Sequence, residues 1–84
     1  MEHLYKTSGT CSREIRIVTD DVTGVITDVS FAGGCHGNLQ GISALVRGRR
    51  PSEVIKVLSG IRCRDKATSC PDQLACALSE IENS

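Results

Sequence analysis

The chain has 84 residues, ten basic and ten acidic side chains, and one tyrosine and one phenylalanine as its aromatic residues. This length predicts a single small domain over residues 1–84, whose apolar core needs a further source of stability. Balanced charge and scarce aromatic rings argue against nucleic acid and acidic membranes as partners. No apolar run is long enough for a signal peptide or a membrane span, so we expect a cytoplasmic protein with reduced thiols.

Strand patterns occupy the first part of the chain. The predicted strands are residues 4–7, 14–19 and 25–31. In the second strand, Ile15 and Ile17 alternate with Arg16, which is the period of a half-buried strand. Turn residues at Asp20–Gly24 join it to the third strand in a predicted hairpin. The face of the third strand expected to be apolar carries Val25, Thr27, Val29 and Phe31.

Helical spacing follows "GGCHGNLQG" and continues to the end of the chain. The first helix ends before Gly48, the second runs from Pro51 to Gly60, and the third begins around Cys70. The expected apolar positions are, helix by helix, Leu39, Ile42, Leu45 and Val46; Val54, Val57 and Leu58; Leu74, Ala77, Leu78 and Ile81. The predicted fold is α+β, a three-stranded antiparallel sheet followed by three helices packed on one face.

Four of the five cysteines lie at the ends of predicted elements, where distant segments can converge. They are Cys11, Cys35, Cys63 and Cys70. Ser69 and Asp72 have the spacing of a capping box, which places Cys70 in the first turn of a helix, where the helix dipole favours a thiolate. Thiolates suit a soft metal ion. Cys76 lies within the third helix, off its apolar face, and is interpreted as a filler or surface residue.

Other roles for these segments stay open. The cysteines could form two disulfides, or remain structural without metal, or supply a nucleophile at Cys70 or Cys35 with His36 as its base. No CxxC pair is present, which excludes a zinc-ribbon knuckle and a thioredoxin-type dithiol. The bend "GGCHGNLQG" before a helix could bind a nucleotide or phosphate, although its glycines match neither the dinucleotide-binding spacing nor the P-loop spacing. His36 is interpreted as an exposed loop residue.

Three segments carry a resemblance to a known family: "GTCSREI", "FAGGCHGNLQGISALVRG" and "LSGIRC…TSCPDQLACAL". They resemble the TSCPD domain family, from about Tyr5 to Ile81. The resemblance implies a short stand-alone bacterial protein, related to a domain at the C-terminus of adenosylcobalamin-dependent ribonucleotide reductases. It also implies that four cysteines recur, at the positions of Cys11, Cys35, Cys63 and Cys70.

The order of elements and cysteines is also similar, more distantly, to the U-type iron–sulfur cluster assembly scaffolds. That likeness implies a three-stranded antiparallel sheet with helices on one face, and places Cys11, Cys35 and Cys70 where those proteins keep cluster or zinc ligands. The chain departs from the scaffolds at Arg13, where they commonly have an aspartate, and at "RCRDKAT", which replaces their chaperone-binding segment.

The expected function is therefore a metal-binding module rather than a catalyst acting alone. Four thiolates form a closed tetrahedral set suited to Zn²⁺, and an iron–sulfur cluster is the alternative cofactor. The resemblance implies an accessory or interaction role with ribonucleotide reductase in DNA precursor synthesis. The alternatives are a carrier or scaffold for metal or iron–sulfur clusters and a nucleotide-binding module.

Overall fold

Three strands precede three helices in the structure, a computed structural model that describes residues 1–10, 12–34, 36–64 and 66–82, and the backbone alone of His36. Two of the predicted metal ligands, Cys11 and Cys35, lie outside the described residues. The elements are β1 (Glu2–Lys6), β2 (Ser12–Thr19), β3 (Ile26–Gly33), α1 (His36–Val46), α2 (Pro51–Leu58) and α3 (Cys70–Glu82). The predicted α+β fold, with three antiparallel strands followed by three helices, is confirmed.

The sheet is antiparallel throughout, with β2 between β1 and β3. Ile15 and Ile17 of β2 are fully buried and Arg16 between them is exposed, as their alternation predicts. β1 begins two residues before its predicted start, and its half-buried side chains are His3 and Tyr5. One face of the sheet therefore meets the helices, and the other faces solvent.

The predicted apolar face of β3 is partly wrong. Thr27, expected on that face, is exposed, and Ile26, its neighbour, is fully buried. The cause is a β-bulge: Val18 pairs with Asp28 and Thr19 pairs with Ile26, so that Thr27 is an extra residue that interrupts the alternation. Beyond the bulge, Val29 is buried as predicted.

The core forms where the inner face of the sheet meets all three helices. Its buried members are Ile15, Ile17, Ile26, Val29, Val46, Val54, Leu74, Ala77 and Leu78. The predictions for Leu45 and Val57 are wrong, since both side chains are 70% exposed. In α1 and in α2 the inward residues lie three, four and seven positions after the first one, and Leu45 and Val57 fall outside that stripe.

The connection between α1 and α2 is hydrogen-bonded to the start of β3. Gly48 has a φ of 86°, which a glycine adopts without strain, and ends the first helical segment as predicted. Its N–H donates to the Ile26 carbonyl (2.7 Å), and the Ile26 N–H donates to the Arg49 carbonyl (2.9 Å). These two bonds hold α1 along the outer side of β3.

The solvent-facing side of the sheet carries a row of ion pairs. Arg16 pairs with Glu2 and lies 3.7 Å from Asp28, and Arg47 lies 3.6 Å from the same aspartate. All four side chains are about half exposed, so the row adds little to the free energy of unfolding.

Among the described helices, none has the length and apolar character needed to cross a membrane.

Candidate metal centre

The centre of the candidate site is the contact between Cys70 and Ser12. Cys70 is the first residue of α3, is half-buried, and its Sγ lies 3.2 Å from the Ser12 Oγ. Ser12 is buried at the start of β2 and pairs with Gly33 at the end of β3. The start of α3 therefore meets the two strand ends that adjoin Cys11 and Cys35 in the sequence.

Gly34 tightens this junction. A Cβ added to it would lie 2.7 Å from the Leu39 Cδ1 and 3.4 Å from the Ser12 backbone nitrogen, and its φ of 85° is one that other residues rarely adopt. Only glycine fits here without displacing the side chain of Leu39. The glycine thus allows the chain to pass closely beside Ser12 on its way into α1.

The cap of α3 positions Cys70. The Ser69 hydroxyl accepts a hydrogen bond from the Asp72 N–H (3.1 Å) and donates one to the Ile61 carbonyl (2.6 Å). The predicted start of the helix is confirmed. The Asp72 carboxylate accepts hydrogen bonds from the Thr68 hydroxyl and from the Gly60 N–H (2.7 Å), and so ties the helix start to the end of α2.

These two bonds also act on the acidity of Asp72. Both donors stabilise the ionised carboxylate, the Thr68 hydroxyl more strongly than the Gly60 N–H, and they lower the pKa of Asp72 against an opposing effect of burial. The first turn of α3 therefore keeps a negative charge to a lower pH than an ordinary aspartate would.

Gln73, which is not among the predicted site residues, also belongs to this network. Its amide is buried, donates to the Thr68 hydroxyl (3.1 Å) and accepts from the Ser8 N–H (3.1 Å). It joins the loop between β1 and β2 to α3. The available signal was a polar residue on the inward side of the helix, next to Leu74.

Cys63 lies on the same connection as Cys70. It is exposed, its N–H donates to the Thr68 carbonyl (3.2 Å), and its carbonyl accepts from the Lys66 N–H (3.0 Å). Arg64, which follows it, has a φ of 55°, the one positive value among the described residues other than glycine. The two hydrogen bonds hold the backbone of Cys63 beside Thr68, two residues before Cys70.

Cys76 is separate from this site. It is exposed on α3, in agreement with its interpretation as a surface residue. The pKa of the Cys76 thiol is raised, first by partial burial of the sulfur and then by the nearby carboxylates of Asp72 and Glu80. It is therefore a poorer thiolate than an ordinary cysteine, and a useful internal control for the others.

Within residues 1–10, 12–34, 36–64 and 66–82, no group of three or more histidine, cysteine, aspartate or glutamate side chains is placed to hold a metal ion. Two of the four expected ligands, Cys11 and Cys35, lie outside those residues, and the His36 side chain is likewise not described. The four-cysteine site therefore stays a prediction. Its donor set is chemically suited to Zn²⁺, which favours tetrahedral thiolate coordination.

Comparison with protein-family models matches the TSCPD domain over residues 2–82, nearly the whole chain. Comparison with curated proteins and with solved structures found no match. The likeness to the U-type scaffolds thus stays a prediction.

Proposed function

The chain belongs to the TSCPD domain family, and from that membership and the junction around Cys70 we propose that it is a metal-binding accessory module. In this proposal Zn²⁺ is held by Cys11, Cys35, Cys63 and Cys70. The observation that carries it is the 3.2 Å contact between the Cys70 sulfur and the Ser12 hydroxyl, since Ser12 directly follows Cys11.

Three features of the described residues support a shared site. Ser12 pairs with Gly33, and Gly34 packs on Ser12, so the chain approaches Cys35 next to the segment that leaves Cys11. The hydrogen bond between Cys63 and Thr68 keeps the backbone of Cys63 near the start of α3. The described neighbours of Cys11 and Cys35 in the sequence thus lie at the same junction as Cys70, which supports a shared site.

The choice of Zn²⁺ rests on the number and kind of ligands. Four thiolates close a tetrahedral shell and leave no position for a substrate or for exchange of a cluster, which is typical of a structural ion. When bound, the ion supplies a crosslink between the sheet and α3. A role beside ribonucleotide reductase, as a docking module in DNA precursor synthesis, is the functional part of the proposal.

Metal content tests the proposal directly. The chain, purified anaerobically without added metal, is analysed for zinc and iron, together with the Cys63→Ser, Cys70→Ser and Cys76→Ser variants. We expect about one equivalent of zinc in the wild type and in Cys76→Ser, and a large loss in the other two variants. Less than about a tenth of an equivalent of both metals together would overturn the proposal.

The identity of the bound metal separates the two cofactors. A brown protein with charge-transfer absorption and bound iron would replace Zn²⁺ by an iron–sulfur cluster and favour a carrier function. A colourless protein that retains zinc through dialysis supports the structural ion. Pull-down of a purified adenosylcobalamin-dependent reductase tests the docking role, with Cys70→Ser as the negative variant.

Alkylation maps the ligands one by one. Zn²⁺ should protect Cys11, Cys35, Cys63 and Cys70 from iodoacetamide, as read by mass spectrometry of peptides, because a coordinated thiolate is a weaker nucleophile. Cys76 should react at the same rate with and without metal. Protection of Cys76, or equal reactivity of Cys63 in both samples, would contradict the proposed ligand set.

A further inference from the structure

A groove of about 610 Å³ runs between the outer edge of β3 and α1. Its lining includes Val29, Ser30 and Phe31 on the strand side and Leu39, Ser43 and Arg47 on the helix side. The three on the helix side recur every four positions, so they form one stripe along α1 that ends just beyond its last residue. The groove is thus a channel with a strand as one wall and a helix as the other.

The backbone of β3 offers hydrogen bonds to this groove. In an antiparallel pair, the N–H and C=O of a residue point to one side of the strand, and successive residues alternate. Met1 and Thr19 bond each other twice (2.7 and 2.9 Å), so the odd-numbered residues of β2 bond to β1. The even-numbered residues bond to β3, and their partners are Asp28, Ser30 and Ala32.

It follows that the N–H and C=O groups of Val29 and Phe31 point outward, away from β2 and into the groove. In the part of the chain that the structure describes, no hydrogen bond uses them. An unpaired strand edge is a template for another extended chain. Near the start of β3 the same edge is already bonded, because Ile26 exchanges hydrogen bonds with the segment at Gly48 and Arg49.

We propose that this groove binds an extended peptide segment of a partner protein, which adds to β3 as a fourth strand and places a carboxylate near Arg47. Main-chain hydrogen bonds to Val29 and Phe31 supply affinity, as in other cases of strand addition. Because α1 forms the opposite wall, the space suits a single extended segment better than the edge of a second sheet. The proposal does not depend on the metal centre.

The charge of the groove supports the placement of a peptide carboxylate near Arg47. The groove lining includes Arg47 and no acidic residue among those the structure describes. The Arg47 side chain is 57% exposed, and its Nη2 lies 3.6 Å from Asp28, which is shared with Arg16. Arg16 is also paired with Glu2, so the four charges of this cluster balance. Arg47 meets Asp28 through Nη2, and the other nitrogens of its exposed guanidinium can still donate to a second carboxylate. A peptide carboxylate there gains an exposed ion pair of modest strength.

The probes are acetylated, amidated heptapeptides of alternating valine and threonine, in which one threonine at a time is replaced by aspartate. They are titrated into the ¹⁵N-labelled full chain. We expect saturable shifts at the amides of Val29 and Phe31 and along α1, with Kd on the order of 10⁻⁴ M. One aspartate position should bind best. The absence of shifts at these amides up to millimolar peptide, or shifts confined to β1, would overturn the proposal.

N-methylation of the best peptide tests the hydrogen bonds themselves. Successive residues of a strand point their N–H groups to opposite sides. Methylation of the peptide N–H groups that face β3 should therefore abolish binding. Methylation of the N–H groups at the alternate positions, which face away from β3, should leave Kd within about twofold. Equal sensitivity to both would show that the peptide does not add to β3 as a strand.

Arg47→Gln tests the carboxylate contact. We expect about two- to fivefold weaker binding of the aspartate peptide and no change for the peptide without aspartate. Lys56→Gln, which removes the same charge from the exposed side of α2, is the matched control and should change neither. If, without peptide, the same amides shift with protein concentration while the mass doubles in sedimentation, the occupant is a second copy of the chain and the proposal is wrong.

Discussion

Asp72 shows how one side chain in the family signature serves the fold. Its two carboxylate oxygens accept hydrogen bonds from the Thr68 hydroxyl and from the Gly60 N–H, just after α2. Its own N–H donates to the Ser69 hydroxyl. The bonds to the carboxylate favour its ionised form and lower its pKa. A group whose pKa is lowered by folding stabilises the native state above its unfolded pKa, and that stabilisation is lost as the pH falls through the folded pKa.

Asp72→Asn should therefore lower the free energy of unfolding in a pH-dependent way. At pH 7 we expect a loss of about 1 kcal/mol, because the side chain is partly exposed and solvent weakens its hydrogen bonds. As the pH falls below the ordinary pKa of an aspartate, the wild type begins to lose this contribution, and the loss is complete only below the lowered pKa of Asp72, so the difference between the two proteins should shrink. Urea unfolding at pH 7 and pH 3 measures it, and an equal difference at both values would contradict the assignment.

Residues whose partners are close in the sequence were predictable, and those whose partners are distant in the sequence were not. The start of α3 at Cys70 follows from Ser69 and Asp72, whose interaction spans three residues. The inward position of Gln73 on α3 indicates a buried amide, but its partner Ser8 lies 65 residues away in the sequence, and no local pattern predicts that contact. The sequence also carries no sign that the Nε2 of His3 is buried, and in the described part of the chain this nitrogen has no hydrogen-bond partner.

Among the elements, α3 links the candidate site to the core. Its first residue is Cys70, its inner face supplies Leu74, Ala77 and Leu78 to the core, and its cap bonds to Ile61 near the end of α2. The orientation of the cysteine and the packing of the helix are thus coupled through Ser69. The bulge at Thr27, by contrast, was not predictable, because a single extra residue in β3 leaves the apolar pattern ambiguous.

Ser69→Ala removes the cap and should destabilise the chain by about 1–2 kcal/mol, since two hydrogen bonds of a buried hydroxyl are lost. Ser79→Ala, towards the C-terminal end of the same helix and away from the cap, is the control and should lie within about 0.5 kcal/mol of the wild type. Urea unfolding gives both values. Amide exchange in the first turn of α3 should rise in Ser69→Ala alone. Equal destabilisation by the two substitutions would show that the cap has no special role.

The whole molecule is small, and its core contains nine buried residues without a large aromatic ring. A domain of this size has little stability to spare, so that a ligand bound only by the native state has a large effect on the melting temperature. The fold class was predictable from the spacing of apolar residues, which alternates in the strands and follows the turn of a helix in the second part of the chain. A ligand set does not follow from such spacing, because it depends on tertiary contacts between segments that are distant in the sequence.

Removal of the proposed zinc should thus lower the thermal stability of the reduced chain. At a free zinc concentration a hundred times Kd, binding stabilises the native state by about 2.7 kcal/mol. For a domain of this length that is a difference of about 10–20 °C in Tm between zinc-loaded and chelated protein. Calorimetry measures it. Cys76→Ser should keep the full difference, Cys70→Ser should lose most of it, and an unchanged wild-type Tm after chelation would exclude a structural ion.

The contact between Ser12 and Cys70 also has a consequence for the order of folding. It joins residues 58 positions apart, whereas Cys63 and Cys70 are seven apart. Closing the longer loop costs about 2 kcal/mol more in chain entropy. During refolding, the hairpin of β2 and β3 can form early from neighbouring residues, but the junction with α3 has to await the long closure. We therefore expect docking of α3 on β2 and assembly of the proposed cysteine site to be one late event, and an ion added to the unfolded chain should meet at most Cys63 and Cys70 together.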